Sequence, residues 1–369
     1  MDKLRIGVVF GGNSDEYDVS LHSAANVIRA LDEDKYELVK IGITQKGQWF
    51  VTKAMSHEIE EDKWLYGRNN GCMLSPDPTI GGIITFHRGE RMEVKPIDCF
   101  FPIMHGDHVE DGEIQGLFSM AQIPYVGSGV KASANCMDKS STKELAKLVG
   151  VKMADHVLVR AADFEGKPRK SVEEIEEYFE GKLPLFVKPC AAGSSVGVTK
   201  VKSYGELEHA IRVALEHDHK VLVEEAIKGR EFEVAVLGNR YPVASRVGEI
   251  LSAGEFYDYE SKYTNPESMT RVVEDLPEEV IDEIRDYAVA LYRELDCRGM
   301  SRVDFFYSED GDIVFNEINT LPGFTDISMY PMLWNDAGLT TTELVDKLIE
   351  YAMEEHAEWT TLTRKGATL

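Results

Sequence analysis

Four polar residues near the end of the chain have the types and the spacing of a metal site. Apolar and polar residues alternate on both sides of Asp310-Gly311, in SRVDFFYSEDGDIVFNEIN, and Asp-Gly suits the two-residue turn of a β-hairpin. With this turn, Asp304 faces Glu317 across the two strands, and Arg302 faces Asn319. Two opposed carboxylates repel each other and cost stability, and a cation bound between them removes that cost.

The polar face of this hairpin predicts a Mg²⁺ site that serves nucleotide phosphates, because Asp, Glu and Asn offer the oxygen ligands that Mg²⁺ prefers. Side chains alternate across a strand, so the opposite face is expected to pack in the core. The residues predicted on that core face are Val303, Phe305, Val314 and Ile318. The alternative is an exposed hairpin with ordinary solvated charges, and the apolar opposite face favours the metal site.

Two further polar residues lie where a predicted strand gives way to a loop. Glu16 follows the glycines of FGGNSDEYDVS; it is suited to bind an ammonium group, or it simply complements the helix dipole. Those glycines lack the G-x-G-x-x-G spacing of a dinucleotide site. His105 ends the strand DCFFPIMHG and precedes Glu110 and Asp111. Ligands of α/β proteins bind at such strand ends, and a structural histidine is the equal alternative.

A glycine-rich loop and two acidic residues could together receive a nucleotide. In FVKPCAAGSSVGVTK, Lys188 lies at the end of an apolar strand, shortly before the Gly193–Gly197 loop. The N–H groups of such a loop can form a nest for phosphates, and an ordinary hairpin turn explains the loop equally well. Glu224 and Glu231, in KVLVEEAIKGREFEV, offer acceptors for an adenine amino group or ribose hydroxyls, or are solvated charges at a strand edge. The chain contains no Walker A sequence.

Strands and helices alternate in the first part of the chain, which predicts a parallel sheet whose loops are available for ligands. A strand at residues 4–10 precedes a helix at 18–31, and ELVKIGIT and DCFFPIMHG are further strands. Residues 49–91 are weakly patterned and predict a surface excursion. Later helices are predicted at 137–149, 204–217, 278–295 and 341–355.

These patterns predict two or three domains. We expect a Rossmann-like domain with a parallel sheet at residues 1–128, a central α+β subdomain at 129–220 and a C-terminal α+β subdomain with the metal site at 221–356. Residues 357–369 are polar and are expected to form a loosely held tail.

Composition and charge exclude several classes of protein. The 369 residues are 43% hydrophobic and 28% charged, and the net charge of −25 opposes nucleic acid or anionic membrane as a partner. No apolar run approaches the roughly 20 residues that span a bilayer, and the N-terminus lacks the pattern of a signal peptide. The five scattered cysteines fit reduced thiols. We therefore predict a cytoplasmic protein without membrane or nucleic-acid partners.

Five motifs, in their order along the chain, resemble the D-alanine–D-alanine ligases of the ATP-grasp superfamily. The motifs are FGGNSDEYDVSLHSA, HGDHVEDGEIQG with IPYVGSGVKASANCMDKSSTK, VKPCAAGSSVGV, EFYDYESKY, and SRVDFFYSEDGDIVFNEINTLPGFTDISMYP. They cover nearly the whole chain. The resemblance implies an ATP-grasp fold of the α/β and α+β classes, in which an N-terminal Rossmann-like domain precedes two α+β subdomains that clasp ATP.

The resemblance also implies the reaction. Such a ligase joins two D-alanines to D-alanyl-D-alanine through a D-alanyl phosphate, releasing ADP and phosphate, for the synthesis of peptidoglycan precursors. ATP is the co-substrate, two Mg²⁺ ions are the expected cofactor and Mn²⁺ is expected to substitute for them. A homodimer is the implied assembly.

Site residues follow from the resemblance position by position. The implied ATP contacts are Lys139, Lys188, Ser195, Glu224, Ala226, Ile227 and Glu231, and the implied metal ligands are Asp304, Glu317 and Asn319. The implied catalytic residues are Glu16, Ser194, Tyr263 and Arg302, and the implied substrate contacts are His105, Lys262, Gly323, Ser328 and Met329.

The implied roles divide between the two substrates. Glu16 is expected to bind the ammonium group of the first D-alanine, and Arg302 with the Gly323 N–H to stabilise a tetrahedral oxyanion. Ser328 and the Met329 backbone are expected to hold the carboxylate of the second substrate. A closing loop that contains Lys262 and Tyr263 is expected to cover the site, where Tyr263, Ser194 and Glu16 form a hydrogen-bonded latch.

Three positions depart from the common pattern of the family, and they leave the second substrate open. Tyr17 stands where many members have His or Arg, Val109 replaces a glycine, and Ala192 stands where some members have a glutamate. A tyrosine at position 17 resembles the resistance-type relatives, which join D-alanine to D-serine. A D-alanine–D-serine ligase is therefore the alternative. The apolar thioether of Met329 favours D-alanine, since it suits a methyl group.

Two alternatives come from other classes of protein. A nicotinamide-dependent oxidoreductase would use the N-terminal sheet, and the incomplete glycine fingerprint disfavours it. A non-catalytic module that binds ATP or amino acids would be expected to lose some charged groups. The chain keeps Lys188, Arg302, Asp304, Glu317 and Asn319, so an active ligase is favoured.

Overall fold

The computed structural model describes residues 3–87, 91–251 and 269–366. Within these ranges the strands form three sheets with helices packed against them. The first sheet contains β1 (Leu4–Gly11), β2 (Tyr36–Ile43), β3 (Trp49–Thr52), β4 (Asn70–Leu74), β5 (Gly82–Phe86), β6 (Met92–Pro96) and β7 (Cys99–Pro102). They lie in the order β6-β5-β4-β3-β2-β1-β7.

The first sheet is mixed and not purely parallel as predicted. β1 pairs parallel with β2 and β7, whereas β2 to β6 pair antiparallel. The prediction of a surface excursion at residues 49–91 is therefore wrong, since β3 to β5 lie within it. These strands are only four or five residues long, so they show too little alternation to be recognised, and the neighbouring strands stabilise them.

Helices α1 (Tyr17–Ala30), α2 (Ser56–Glu60) and α3 (Glu113–Met120) and a 3₁₀ turn (Trp64–Tyr66) belong to this first layer. α1 agrees with the predicted helix at 18–31. Its buried Ser20, Ala24 and Val27 recur at helical spacing, so one face packs on the sheet. The loop before α1 and the loop after β7 lie at the same edge of the sheet, because β1 and β7 are parallel.

The second sheet is antiparallel. It contains β9 (His156–Arg160), β10 (Leu185–Pro189), β11 (Thr199–Val201) and β12 (Lys220–Glu225), in the order β11-β10-β12-β9, and it follows the short strand β8 (Lys152–Met153). The helices before and around it are α4 (Val130–Met137), α5 (Lys139–Ala146), α6 (Ala161–Gly166), α7 (Pro168–Tyr178) and α8 (Tyr204–Leu215). α5 begins later than the predicted helix at 137–149, because Asp138 caps it by accepting a hydrogen bond from Ser141 N at 3.0 Å.

The third sheet has the order β15-β14-β13-β16-β17-β8. Its remaining strands are β13 (Gly229–Gly238), β14 (Val243–Leu251), β15 (Met269–Val272), β16 (Gly299–Ser308) and β17 (Ile313–Asn319), and its helices are α9 (Glu278–Glu294), α10 (Met329–Asp336) and α11 (Thr341–Gly366). α11 runs beyond the predicted end at 355 and includes much of the predicted tail. No proline interrupts its sequence, so polar composition alone does not end the helix.

The predicted division into domains at 128/129 and 220/221 stays a prediction. β12 begins at Lys220 and pairs with β9 and β10, so the chain leaves the second sheet a few residues after the second division. β8 pairs with β17 and therefore lies in the third sheet. Across the described ranges, no helix combines the length and the hydrophobicity of a membrane span.

Candidate active site

A cavity of about 740 Å³ lies where residues of all three sheets meet. Glu16, at the start of α1, comes from the first layer. Lys188 on β10 and Glu224 on β12 come from the second sheet, and Arg302 on β16 and Glu317 on β17 come from the third. Charged groups that are far apart in the sequence therefore line one cavity.

The predicted register of the β16–β17 hairpin is confirmed at the polar pairs: Asp304 faces Glu317 and Arg302 faces Asn319. The turn that produces it differs from the prediction. The Ser308 carbonyl accepts a hydrogen bond from Gly311 N at 3.0 Å, and Gly311 has a φ of 85°. This is a three-residue loop whose last residue is a left-handed glycine, and not a two-residue turn.

A β-bulge at Asn316 compensates for the longer loop. Between the turn and the bulge, Phe305 pairs with Phe315, and the pairing shifts by one residue before Asp304 meets Glu317. The bulge reverses the alternation of side chains, so Phe315 and not Val314 packs beside Phe305, with ring centroids 6.0 Å apart. Val314 is buried as predicted, but it pairs with Phe306 and lies on the face opposite to Phe305, so only its predicted face is wrong. The predicted core positions of Val303, Phe305 and Ile318 are confirmed.

The polar face of the hairpin is held by charge-assisted hydrogen bonds. Arg302 donates to both carboxylate oxygens of Asp304, at 2.8 and 2.7 Å, and Asn319 Nδ2 donates to Asp304 at 3.3 Å. Glu233, on β13, lies opposite Asp304 and 3.2 Å from Arg302 Nε. Lys139 Nζ lies 3.4 Å from a Glu317 oxygen. Two carboxylates and an amide on adjacent strands fit the oxygen-rich coordination of Mg²⁺.

A buried group of charges forms the wall of the cavity beneath β10 and β12. Lys188 pairs with one oxygen of Glu224, and Lys143 Nζ lies 2.9 Å from the other. Burial opposes ionisation of Glu224, but the two ammonium groups outweigh it and lower its pKa to about 2. Lys143 was missed in the sequence, because SSTKEL gives no sign that its lysine is buried.

The Gly193–Gly197 loop approaches the N-terminal layer closely. Ser194 and Ser195 have φ values of 47° and 60°, which orient successive N–H groups in the manner of an anion-binding nest. Ser194 Oγ donates a hydrogen bond to Glu16 Oε1. A β-carbon on Gly193 would lie 2.9 Å from Glu16 Oε2, so a larger residue here would require the Glu16 carboxylate to shift.

His105 is buried and Glu110 is half-buried near Glu16. His105 Nδ1 donates to the Leu321 carbonyl at 3.1 Å, and burial lowers the pKa of its imidazole. Glu110 Oε2 accepts a hydrogen bond from Gly106 N at 2.9 Å. Burial, and then the nearby Glu16, raise the pKa of the Glu110 carboxyl to about 8. The Glu110 carboxyl therefore keeps its proton to a higher pH than an ordinary glutamate does.

Most of the predicted site residues line the cavity together. They are Glu16, His105, Lys139, Lys188, Ser194, Ser195, Glu224, Ala226, Ile227, Glu231, Arg302, Glu317, Asn319 and Gly323. Asp304 is not among the residues that line the cavity, but it accepts two hydrogen bonds from Arg302, which is. Lys262 and Tyr263 lie outside the described residues. The individual roles of all these residues stay predictions.

Met329 is not where the argument about the acceptor placed its side chain. Met329 is buried in the core, and a β-carbon on Gly248 would lie only 2.4 Å from its sulfur, so the thioether packs against β14 and not on the cavity wall. Ser328 Oγ accepts a hydrogen bond from Thr325 N at 2.9 Å. The predicted backbone contact of Met329 with the second substrate stays a prediction.

The three departures from the family pattern also lie off the cavity or at its margin. Tyr17 is buried in the first layer, where its hydroxyl donates to Asp62 at 2.9 Å and accepts from Trp64 Nε1 at 3.0 Å. Val109 is part of the core. The Ala192 carbonyl accepts a hydrogen bond from Lys139 Nζ at 2.8 Å. Tyr17 therefore acts on the packing of the first layer.

Two family models match the chain. The model described as D-ala D-ala ligase N-terminus matches residues 5–128, and the one described as D-ala D-ala ligase C-terminus matches residues 145–350. The D-alanine–D-alanine ligase A of Escherichia coli K12 is 44% identical over 97% of this chain and 98% of its own length. The chain belongs to the D-alanine–D-alanine ligase family. The D-alanine–D-alanine ligase of Acetivibrio thermocellus is also 44% identical, over 96% of this chain and 97% of its own.

Solved structures confirm the ATP-grasp fold of this ligase. The VanG D-Ala:D-Ser ligase of Enterococcus faecalis superposes with a TM-score of 0.83 and 38% identity, covering 95% of this chain and 100% of that one. The D-alanine-D-alanine ligase of Coxiella burnetii superposes with a TM-score of 0.84 and 32% identity, covering 100% of both chains. The predicted family, fold and enzyme class are thereby confirmed, and the oxidoreductase and non-catalytic alternatives are not.

Proposed function

We propose that this ligase joins two D-alanines to D-alanyl-D-alanine and converts ATP to ADP and phosphate. The observation that carries the proposal is the hydrogen bond between Ser194 and Glu16. It connects the loop expected to cover the phosphates with the residue expected to bind the first D-alanine. The two substrates of the first step would therefore share one cavity.

The proposed chemistry proceeds through an acyl phosphate, because a free carboxylate is a poor acylating agent. An oxygen of the first D-alanine's carboxylate attacks the γ-phosphorus of ATP, and ADP leaves. The amine of the second D-alanine, after losing a proton, attacks the carbonyl carbon, and phosphate leaves as the carbon–oxygen bond breaks. Mg²⁺, bound by Asp304, Glu317 and Asn319, would supply neutralisation of the charge on the transferred phosphoryl group.

The chain's own cations would act on the developing negative charge. Lys139 and Lys188 line the cavity beside the Gly193–Gly197 loop and would bind phosphates. Arg302, fixed by its two bonds to Asp304, would lie ready with the Gly323 N–H for the oxyanion of the tetrahedral intermediate. Such donors are effective because they are oriented before the reaction begins.

The amino-acid side of the site rests on Glu16. Its carboxylate would pair with the ammonium group of the first D-alanine while Ser194 holds it in place. Lys262 and Tyr263 would close over the substrates and exclude water that would otherwise hydrolyse the acyl phosphate. His105 would position the loop at Leu321, to which its imidazole is bonded.

D-alanine is the proposed acceptor, in keeping with the relatives named D-alanine–D-alanine ligase at 44% identity. The alternative acceptor, D-serine, is favoured by one observation, the 38% identity to a D-Ala:D-Ser ligase. Competition between the two amino acids at equal concentration, with the dipeptides resolved by mass, decides between them. A majority of D-alanyl-D-serine would reverse the assignment.

The reaction itself is tested with ATP, Mg²⁺ and D-alanine, by measuring phosphate release and the mass of the dipeptide. L-alanine in place of D-alanine is the control and is expected to give no dipeptide. Phosphate release without dipeptide would contradict the proposal.

We also propose that Mn²⁺ replaces Mg²⁺, that the ligase is a cytoplasmic homodimer and that its product serves peptidoglycan synthesis. Sedimentation analysis tests the assembly.

A further inference from the structure

Lys143 is a buried lysine at the cavity that the family-derived nucleotide contacts do not include. It lies on α5, its side chain is 1% exposed, and its Nζ is 2.9 Å from Glu224 Oε1. Lys188 pairs with the other oxygen, Oε2. Among the described residues, neither Lys143 Nζ nor Glu224 Oε1 has a hydrogen-bond partner beyond this ion pair.

The two lysines differ in what else they can reach. Lys143 is fixed by its helix, whose start is capped by Asp138, and whose neighbouring Thr142 donates to the Asn135 carbonyl at 2.6 Å. Lys188 stands on β10, with 13% of its side chain exposed, in the strand that leads into the Gly193–Gly197 loop. A phosphate in the cavity can therefore attract Lys188 away from Glu224, whereas Lys143 stays.

A buried carboxylate that loses its counter-ion is costly, because desolvation is no longer compensated. If Lys188 were the sole partner of Glu224, a nucleotide phosphate would have to compete with Glu224 for it. With Lys143 in place, Glu224 remains paired after Lys188 has left. It can then accept a hydrogen bond from the base or the ribose.

We propose that Lys143 is a positioning residue that acts as the fixed counter-ion of Glu224, so that Lys188 is free to exchange Glu224 for a nucleotide phosphate. The inference rests on the proposed nucleotide contacts of Lys188 and Glu224, and goes beyond them by assigning the exchange to Lys143. It does not depend on which amino acids the ligase joins.

Tripolyphosphate tests the exchange, because it carries phosphates without the base or ribose that Glu224 would bind. In Lys143→Met, Glu224 retains Lys188 more strongly, so we expect binding of tripolyphosphate to weaken ~10-fold or more, as for loss of one partner of a buried charge pair. In Glu224→Gln, Lys188 is released, so binding is expected to strengthen. A purely structural role of Lys143 predicts no such change of sign between the two variants.

The controls separate misfolding and failure of the proposed function from failure of the inference. Lys147→Met, at the exposed end of α5, is expected to leave binding unchanged. If Lys143→Met does not fold, Glu224→Gln alone remains decisive, and weaker tripolyphosphate binding in that variant overturns the inference. Unchanged binding in a folded Lys143→Met overturns it as well. Calorimetric binding requires no D-alanine. If Lys143→Met weakens and Glu224→Gln strengthens tripolyphosphate binding while the wild type forms no dipeptide, the inference stands and only the proposed function is refuted.

Discussion

Ser194 donates a hydrogen bond to Glu16 although 178 residues separate them along the chain. The bond joins the Gly193–Gly197 loop of the second sheet to the start of α1 in the first layer. The close approach of Gly193 to the same carboxylate shows that backbone and side chain both fit this contact. Disturbing it should alter how the loop is held over the cavity.

Ser194→Ala is expected to lower the rate of dipeptide formation by ~10- to 10²-fold. A hydrogen bond to a charged group contributes roughly 1.5–3 kcal/mol, and Glu16 would lose the donor that orients it. Steady-state rates measured with saturating ATP and D-alanine check this. Ser171→Ala, on the exposed helix α7, serves as the matched control, and equal rates in both variants would show that the bond is not used.

Glu317→Gln is expected to lower turnover at least ~10²-fold and to raise the Mg²⁺ concentration needed for half-maximal activity, since a proposed metal ligand loses its negative charge. The variant also loses the pairing of Glu317 with Lys139. A Mg²⁺ titration of the rate is the measurement. Glu309→Gln, in the exposed hairpin loop, should behave like the wild type, and full activity of Glu317→Gln at saturating Mg²⁺ would refute the assignment.

Arg302→Lys is expected to reduce kcat about 10²-fold with a smaller effect on the KM for ATP. Lysine keeps the positive charge but cannot donate to both oxygens of Asp304 in a fixed plane, so the proposed donor to the oxyanion is no longer oriented. Separate determination of kcat and KM tests this. Arg246→Lys, which affects a pair with Asp336 at the surface of β14, is the control. A rise in KM alone would place Arg302 in nucleotide binding.

Glu110→Gln is expected to stabilise the ligase increasingly as the pH rises. The folded carboxyl has a pKa of about 8 because of burial and Glu16, whereas an unfolded glutamate titrates near about 4.3. Between these values the unfolded chain has released a proton that the folded state retains, so wild-type stability falls from about pH 4 to about pH 8. Glutamine keeps the acceptor for Gly106 N and removes the titration.

Thermal unfolding of Glu110→Gln and wild type at pH 5 and pH 8 measures this effect. We expect the difference in Tm to be larger at pH 8 and to reach at least about 2 °C there. Glu165→Gln, at an exposed position of α6, is expected to give equal differences at both pH values. A constant difference for Glu110→Gln would mean that its carboxyl is already ionised in the folded state at pH 5.

The pairing of Asp304 with Glu317 could be predicted from the sequence because it is local. A hairpin turn and the alternation of side chains determine which residues face each other. The prediction was right for these residues even though the loop and the strand each contain one more residue than assumed. The face of Val314 was predicted wrongly because this residue lies between the loop and the bulge. The loop has one residue more than assumed, which reverses the faces, and the extra residue at the bulge restores them only beyond Asn316.

Residues whose roles depend on distant segments could not be predicted. Lys143 is buried because Glu224 lies beside it, and nothing in the helix sequence shows this. Glu233 meets Arg302 only because β13 pairs with β16. The thioether of Met329 packs in the core because Gly248, which has no side chain, leaves space for it. In each case a partner many residues away determines where the side chain lies.

The bulge at Asn316 also shows where this hairpin tolerates a change of length. If Asn316 were deleted, Phe315 would still pair with Phe305 and Glu317 with Asp304, since the bulged residue opposes no partner of its own. Deleting a loop residue instead would replace the three-residue loop between Ser308 and Asp312 with a two-residue turn, which needs different backbone angles. One-residue insertions and deletions at the bulge should therefore change the local twist of the hairpin and leave the pairing of Asp304 with Glu317 intact.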